Sequence, residues 1–198
     1  MRRNGSDFWL ALFGKVDTLM KALMSHVNVE IKAHCAEPDA VRRRLIALGA
    51  DFQGTDHQVD TYFRVRNGRL KLREGIIENQ LIWYTRDQAA PKLSEVMFCD
   101  TQAGTPVKEI LKQSLGVLAV VEKEREIYNI DNVKFHLDVV AGSMSFVEIE
   151  AIDRDGSLGV KHLNEQCRQY RDAFRIDDRD LLEGSHVDLI MHRQLAAA

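Results

Sequence analysis

The sequence predicts an α+β fold, a closed eight-stranded β-barrel with helices packed on its outside. Three observations carry this reading. From Val27 onward, short segments alternate apolar and polar residues with the period of a strand. Three interspersed segments carry apolar residues at helical spacing, and those stripes need an apolar surface to cover them. The polar face of the strands is dense in acids and bases. In an open sheet that face would meet water, whereas closure removes the sheet edges and gathers the charges in a lumen.

The elements follow in order. Val29 and Ile31 alternate with Asn28, Glu30 and Lys32 in the first strand. Leu70 and Leu72 alternate with Lys71 and Arg73, and Val147 and Ile149 with Glu148 and Glu150. Further strands are expected near 57–66, 80–86, 95–100, 118–128 and 133–140, eight in all. The first helix begins at Pro38, carries Val41, Leu45 and Leu48, and stops at Gly49. The second follows Pro106 with Val107, Ile110, Leu111 and Leu115, and stops at Gly116. The third spans about 158–174 with Val160, Leu163, Cys167 and Phe174, and a short fourth starts near Arg179. Helix followed by strands occurs twice, which hints at two related halves, but no self-similarity amounts to a repeat.

The chain of 198 residues reads as one domain over 27–192, preceded by an extension over 1–26 and followed by a tail over 193–198. Phe8, Leu12, Val16, Leu19 and Leu23 give the extension helical spacing. It is a poor signal peptide, because Asp7, Lys15 and Asp17 flank its short apolar run. An amphipathic helix on the domain or on a membrane, and a translation start at Met24, are the open alternatives.

Lys plus Arg number 27 against 30 Asp plus Glu, a net charge of -3, so the overall field argues against a nucleic-acid partner and any basic site must be local. No apolar run reaches the roughly 20 residues that span a bilayer, so no membrane partner is expected. Cys35, Cys99 and Cys167 are odd in number and lack CxxC spacing, which fits reduced thiols in a cytoplasmic protein. A homodimer is left open.

Several blocks are recognisable. Asn28 to Lys32 resembles the ExExK signature that opens the CYTH family, the triphosphate tunnel metalloenzymes, with Asn28 in place of the first Glu. The stretch from His57 to Phe63, Leu70 to Glu74, Glu122 to Arg125, His136 to Asp138 and Phe146 to Glu150 resemble later strands of that family in order. Ser185 to Ile190 resembles a stretch of its class IV adenylyl cyclase-like members. The resemblance implies that the eight strands run antiparallel around a tunnel that binds a triphosphate such as ATP with Mg2+ or Mn2+, forming cyclic AMP or hydrolysing thiamine triphosphate or inorganic triphosphate.

Residue by residue, it implies phosphate contacts from Lys32, Lys71, Arg73, Lys123 and Arg125. Arg86 stands where cyclase-like members have Lys, and Lys92 is a looser candidate. Bases of this kind suit phosphate because Arg grips oxygens in a fork and Lys acts as a point charge. Glu30, Asp138, Glu148 and Glu150 are the expected metal ligands, hard oxygens suited to Mg2+ or Mn2+. Catalytic roles are expected for Glu30, Lys32 and Arg125. His57 and His136 could act as bases or stack on a nucleobase, although a lone strand His is more often structural. Cyclase, triphosphatase and non-catalytic polyphosphate or nucleotide binding are the competing functions, the last prompted by Asn28. No HExxH, GxSxG, CxxC or P-loop pattern competes.

Overall fold

The computed structural model describes residues 25–86, 91–140, 144–182, 184, 187 and 188. The eight strands are β1 (Ser25–His34), β2 (Asp51–Phe63), β3 (Arg69–Glu74), β4 (Gln80–Arg86), β5 (Lys92–Asp100), β6 (Val117–Ile130), β7 (Val133–Val140) and β8 (Met144–Asp153). The helices are α1 (Pro38–Ala47), α2 (Val107–Leu115) and α3 (Gly159–Phe174), and a 3-10 turn spans Asp178–Asp180. The strands close a barrel in the order β1-β5-β4-β3-β2-β6-β7-β8, and every pair is antiparallel. The predicted fold class is the observed one.

Strand phase divides the barrel wall. Val29, Ile31 and Ala33 of β1 point outward with Phe135 and Leu137 of β7 and Val147, Ile149 and Ala151 of β8. There they pack beneath Val41 and Leu45 of α1 and Leu163, Cys167 and Phe174 of α3. At about 25 cal/mol per Å2 of apolar surface, this layer is the main stabilising term of the domain. The outward residues are apolar because helices cover them; the inward ones are charged because nothing apolar does.

α1 begins at Pro38, whose fixed φ suits the first helical position, and ends before Gly49, which takes φ 76. α2 ends at Gly116, with φ 72. α3 is stopped by Arg175 in the left-handed conformation, a residue type that gives no stop signal. All three stripes are thinner than the spacing suggests. α2 has no buried residue and exposes Ile110, while Leu48 and Val160 at the ends of α1 and α3 are also exposed. Cys35 and Cys167 are buried and Cys99 is half-buried, all as free thiols.

One barrel end is closed by the chain after the 3-10 turn. Leu181 bridges Ala33, the Leu182 amide donates to the Lys32 carbonyl, and Leu182 and Val187 pack on Tyr62, Ala119, Val121, Val140 and Phe146. Lys92 serves this closure, since its Nζ donates to the carbonyls of Leu182 and Gly184 at 2.9 and 3.2 Å. The extension over residues 1–24, the tail and most of Ser185 to Ile190 lie outside the described residues. Among those described, no helix is long and apolar enough to cross a membrane.

Candidate active site

The lumen holds a cavity of about 310 Å3. Among the described residues seven bases and six acids line it, so its own charges nearly cancel. The alternation along each strand places them, because residues two apart project from one face about 7 Å from each other.

On one wall, Asp60 of β2 is shared by three bases. Arg73 donates to it from Nε at 2.9 Å and Nη2 at 3.1 Å, Lys71 at 2.9 Å and Lys123 at 3.1 Å. Burial alone would raise the Asp60 pKa, but Arg73, Lys123 and Lys71 hold it well below the usual carboxylate range. Burial and the neighbouring Arg73 push Lys71 down to about 7, and burial and Arg125 push Lys123 down to about 8. Three bases on one acid leave this wall with surplus positive charge.

On the floor between the walls, Arg125 of β6 grips Asp138 of β7 at 2.6 and 2.5 Å and also donates to Glu148 at 2.7 Å. Lys32 pairs with Glu148, and His136 Nδ1 lies 2.8 Å from the same carboxylate. Burial and then Arg125 lower the His136 pKa, favouring its neutral form. Glu148 is held far below its ordinary range by Arg125 and Lys32 against the effect of burial.

The opposite wall is acidic. Glu30 and Glu150 are directly opposed across β1 and β8, and Asn28 donates to Glu150. Asn28 Oδ1 is buried with no hydrogen-bond partner. Two carboxylates and an orphaned amide oxygen form a hard oxygen set that fits Mg2+ or Mn2+, which typically takes one or two carboxylates and completes its shell with water and phosphate. Among the described residues no three His, Cys, Asp or Glu side chains gather as a complete metal site.

At the open end the lining changes character. His26, Ile82, Val96, Phe98 and Ile152 line the cavity beyond the acidic pair, and His26 meets Phe98 edge-on with ring centroids 5.8 Å apart. Both His26 ring nitrogens are buried without a partner, and burial lowers its pKa.

The fold thus brings Glu30, Lys32, Lys71, Arg73, Lys123, Arg125, Asp138, Glu148 and Glu150 to one lumen. Arg86 ends β4 opposite Ser94, and its side chain lies outside the described part of the chain. His57 is on the outside, 2.9 Å from Glu122, so it can neither stack on nor deprotonate a ligand in the lumen. The strand phase already excludes it, since His57 alternates with Asp60.

Several lumen residues have no role assigned from sequence, Asp60 first among them. Lys134 shares the phase of His136, and Asp56 and Gln58 share that of Asp60, so alternation could have found them. Glu78 could not be found, because it lies in the short β3–β4 connection, where no periodicity applies. Asp56 holds that connection by accepting the amides of Ile76, Ile77 and Glu78 at 2.7, 3.1 and 3.1 Å. Gly75 is required there, for a Cβ would stand 2.4 Å from an Asp56 oxygen. Glu78 accepts from Arg73 Nη1 at 2.6 Å, Lys134 at 2.8 Å and Gln58 at 3.1 Å.

A closed antiparallel barrel with acids and bases paired across its lumen defines a tunnel protein with a charged interior. Residues 26–179 match the CYTH domain, and the chain belongs to that family. Its fold is similar to that of the PH1012 protein of Pyrococcus horikoshii, with TM-score 0.72 and 22% identity over 82% of this chain and 98% of that one. A Vibrio parahaemolyticus protein provisionally assigned as an adenylate cyclase gives 0.67 and 17%, over 83% and 97%. A Hippeastrum protein provisionally assigned as an adenylyl cyclase, with a dominant triphosphatase activity, gives 0.54 and 11%, over 84% and 95%. At these identities the likeness is one of fold. No curated protein matches the sequence.

Proposed function

We propose that this protein is a divalent-metal-dependent enzyme that binds an organic triphosphate of the ATP class and converts it, in the manner of a class IV adenylyl cyclase, to a cyclic nucleotide and pyrophosphate. The observation that carries this reading is the order of chemistry along the lumen. From the open end inward come the apolar group at His26 and Phe98, the Glu30–Glu150 pair, and the bases Lys32, Lys71, Lys123 and Arg125. An organic triphosphate has the same order: a ring, an inner phosphate and a highly charged outer diphosphate.

In this placement Lys32, Lys71, Lys123 and Arg125 bind the two outer phosphates, offsetting a charge that could not be buried alone. Arg73 reaches an oxygen of the inner phosphate. Mg2+ or Mn2+ held by Glu30 and Glu150 would supply positive charge at that phosphate. The 3'-hydroxyl of the ribose, held toward the open end, gives its proton to solvent water there, and its oxygen bonds to the inner phosphorus as the bond to the outer diphosphate breaks. Lys32 and Arg125 then carry the charge that develops on the departing pyrophosphate. Asp138 and Glu148 hold Arg125 in its fork geometry and serve as positioning groups.

Incubation with ATP, thiamine triphosphate and inorganic triphosphate, each with Mg2+ or Mn2+, followed by product identification, tests this. Cyclic AMP with pyrophosphate is expected. Orthophosphate would instead make the protein a triphosphatase, and tight binding without turnover a nucleotide-binding module.

A further inference from the structure

We infer that Glu78 is an internal anion that occupies phosphate-binding donors of the tunnel and is exchanged for a phosphate when ligand enters. The inference rests on the triphosphate reading above. Three observations carry it.

First, Glu78 is placed on donors that have no structural need of it. Arg73 is already oriented by the fork of Nε and Nη2 on Asp60, and Glu78 takes the remaining Nη1 at 2.6 Å. Lys134 reaches Glu78 from β7, on the other side of the lumen, at 2.8 Å. One carboxylate thus spans two cations from separate walls, as a phosphate would.

Second, Glu78 differs from the other lumen acids in its support. Asp60, Asp138, Glu148 and Glu150 are fixed in strands, whereas Glu78 rides on the β3–β4 connection at the open end. The backbone of that connection is anchored by Asp56 through three amides, while Ile76 beside it is 92% exposed. The side chain can therefore swing from a fixed base without unravelling the barrel.

Third, the charge count favours an exchange. With seven bases and six acids lining it, the lumen holds little spare positive charge for a triphosphate. Moving one carboxylate out to water frees two donors and adds a full unit of positive charge where the incoming anion needs it. When product leaves, the tethered carboxylate returns to the same donors at high effective concentration. Glu78 therefore lowers affinity and shortens the residence of the bound anion.

Calorimetric titration with a non-hydrolysable ATP analogue in Mg2+ tests this on the full chain and on Glu78→Gln, whose amide keeps the shape without the charge. The variant is expected to bind about tenfold tighter, on the scale of one charge-assisted hydrogen bond. Equal or weaker binding by the variant, with the unaltered chain binding well, overturns the inference and leaves the triphosphate reading standing. Absence of binding by the unaltered chain overturns that reading, and the inference with it. Should Glu78→Gln fail to fold, the carboxyl 13C signal of Glu78 in the unaltered chain decides. On saturation with the analogue it should titrate in the ordinary carboxylate range, and a signal still held far below that range overturns the exchange.

Discussion

The two walls of the lumen use similar residues to opposite ends. On the β2–β3–β6 wall three bases converge on Asp60, a buried acid that is 1% exposed. On the β1–β8 wall Glu30 opposes Glu150 with an amide, Asn28, beside them. The first wall is assembled by its ion pairs and keeps positive charge to spare. The second keeps negative charge to spare, which a cation can neutralise. The difference teaches that charge balance over the whole lumen hides a polarity within it, and the polarity matches a phosphate chain on one side and a divalent cation on the other.

The largest effect should come from removing the shared acid. Asp60→Ala leaves Lys71, Arg73 and Lys123 buried without their partner, and a stability loss of about 3–5 kcal/mol is expected in denaturant titrations. Inorganic triphosphate should restore part of it, since a ligand that binds only the folded state stabilises that state. Loss without rescue would break the picture of this wall as a phosphate site.

Leu72→Ala, on the same strand but the outer phase, should cost about 2–5 kcal/mol as a truncated buried Leu, with triphosphate affinity unchanged. Arg73→Ala should weaken triphosphate binding by about 1.5–3 kcal/mol. Exchange of these two outcomes would reverse the strand phase.

On the acidic wall, the double variant Glu30→Gln and Glu150→Gln should retain the melting temperature, because it removes repulsion between opposed carboxylates. Its activation by Mg2+ or Mn2+ should move to higher metal concentration. An unchanged metal titration would remove both as ligands.

A smaller effect is expected from pH. Burial pushes Lys71 and Lys123 down to about 7 and about 8, and a bound polyanion would raise both. Binding therefore takes up protons above neutral pH, and affinity should fall as pH rises from 7 to 9. Binding heats that depend on buffer ionisation would report the uptake. Heats independent of buffer would show that both lysines are already charged. Smallest of all, His57→Ala alters only the outer surface, and triphosphate affinity should stay within error.

Much of this was legible in residue order. The alternation of Leu70 and Leu72 with Lys71 and Arg73 assigned one side chain to the core and the next to the lumen. A two-residue period leaves no other choice once one face is apolar. The same rule assigned Glu30, Lys32, Glu148 and Glu150 to one interior, whereas Lys123 and Arg125, in a run charged on both faces, came from the family resemblance. Arg175 as a helix stop and the weak burial of α2 were not legible, because neither a left-handed non-glycine nor the absence of a covering surface leaves a periodic signal.

Sequence by itself determined the barrel, its helices and many of the strand-borne charges that face inward, since these follow from local periodicity and from the need to cover apolar stripes. Tertiary structure alone decided which charges meet. Asp60 collects bases from its own strand neighbours, Arg125 reaches across to Glu148, and Glu78 enters from a connection to touch Arg73 and Lys134. The physical reason is that a strand's period fixes the face of a side chain but not its partner. Partnership depends on the register between strands distant in sequence and on where an irregular turn brings its side chains.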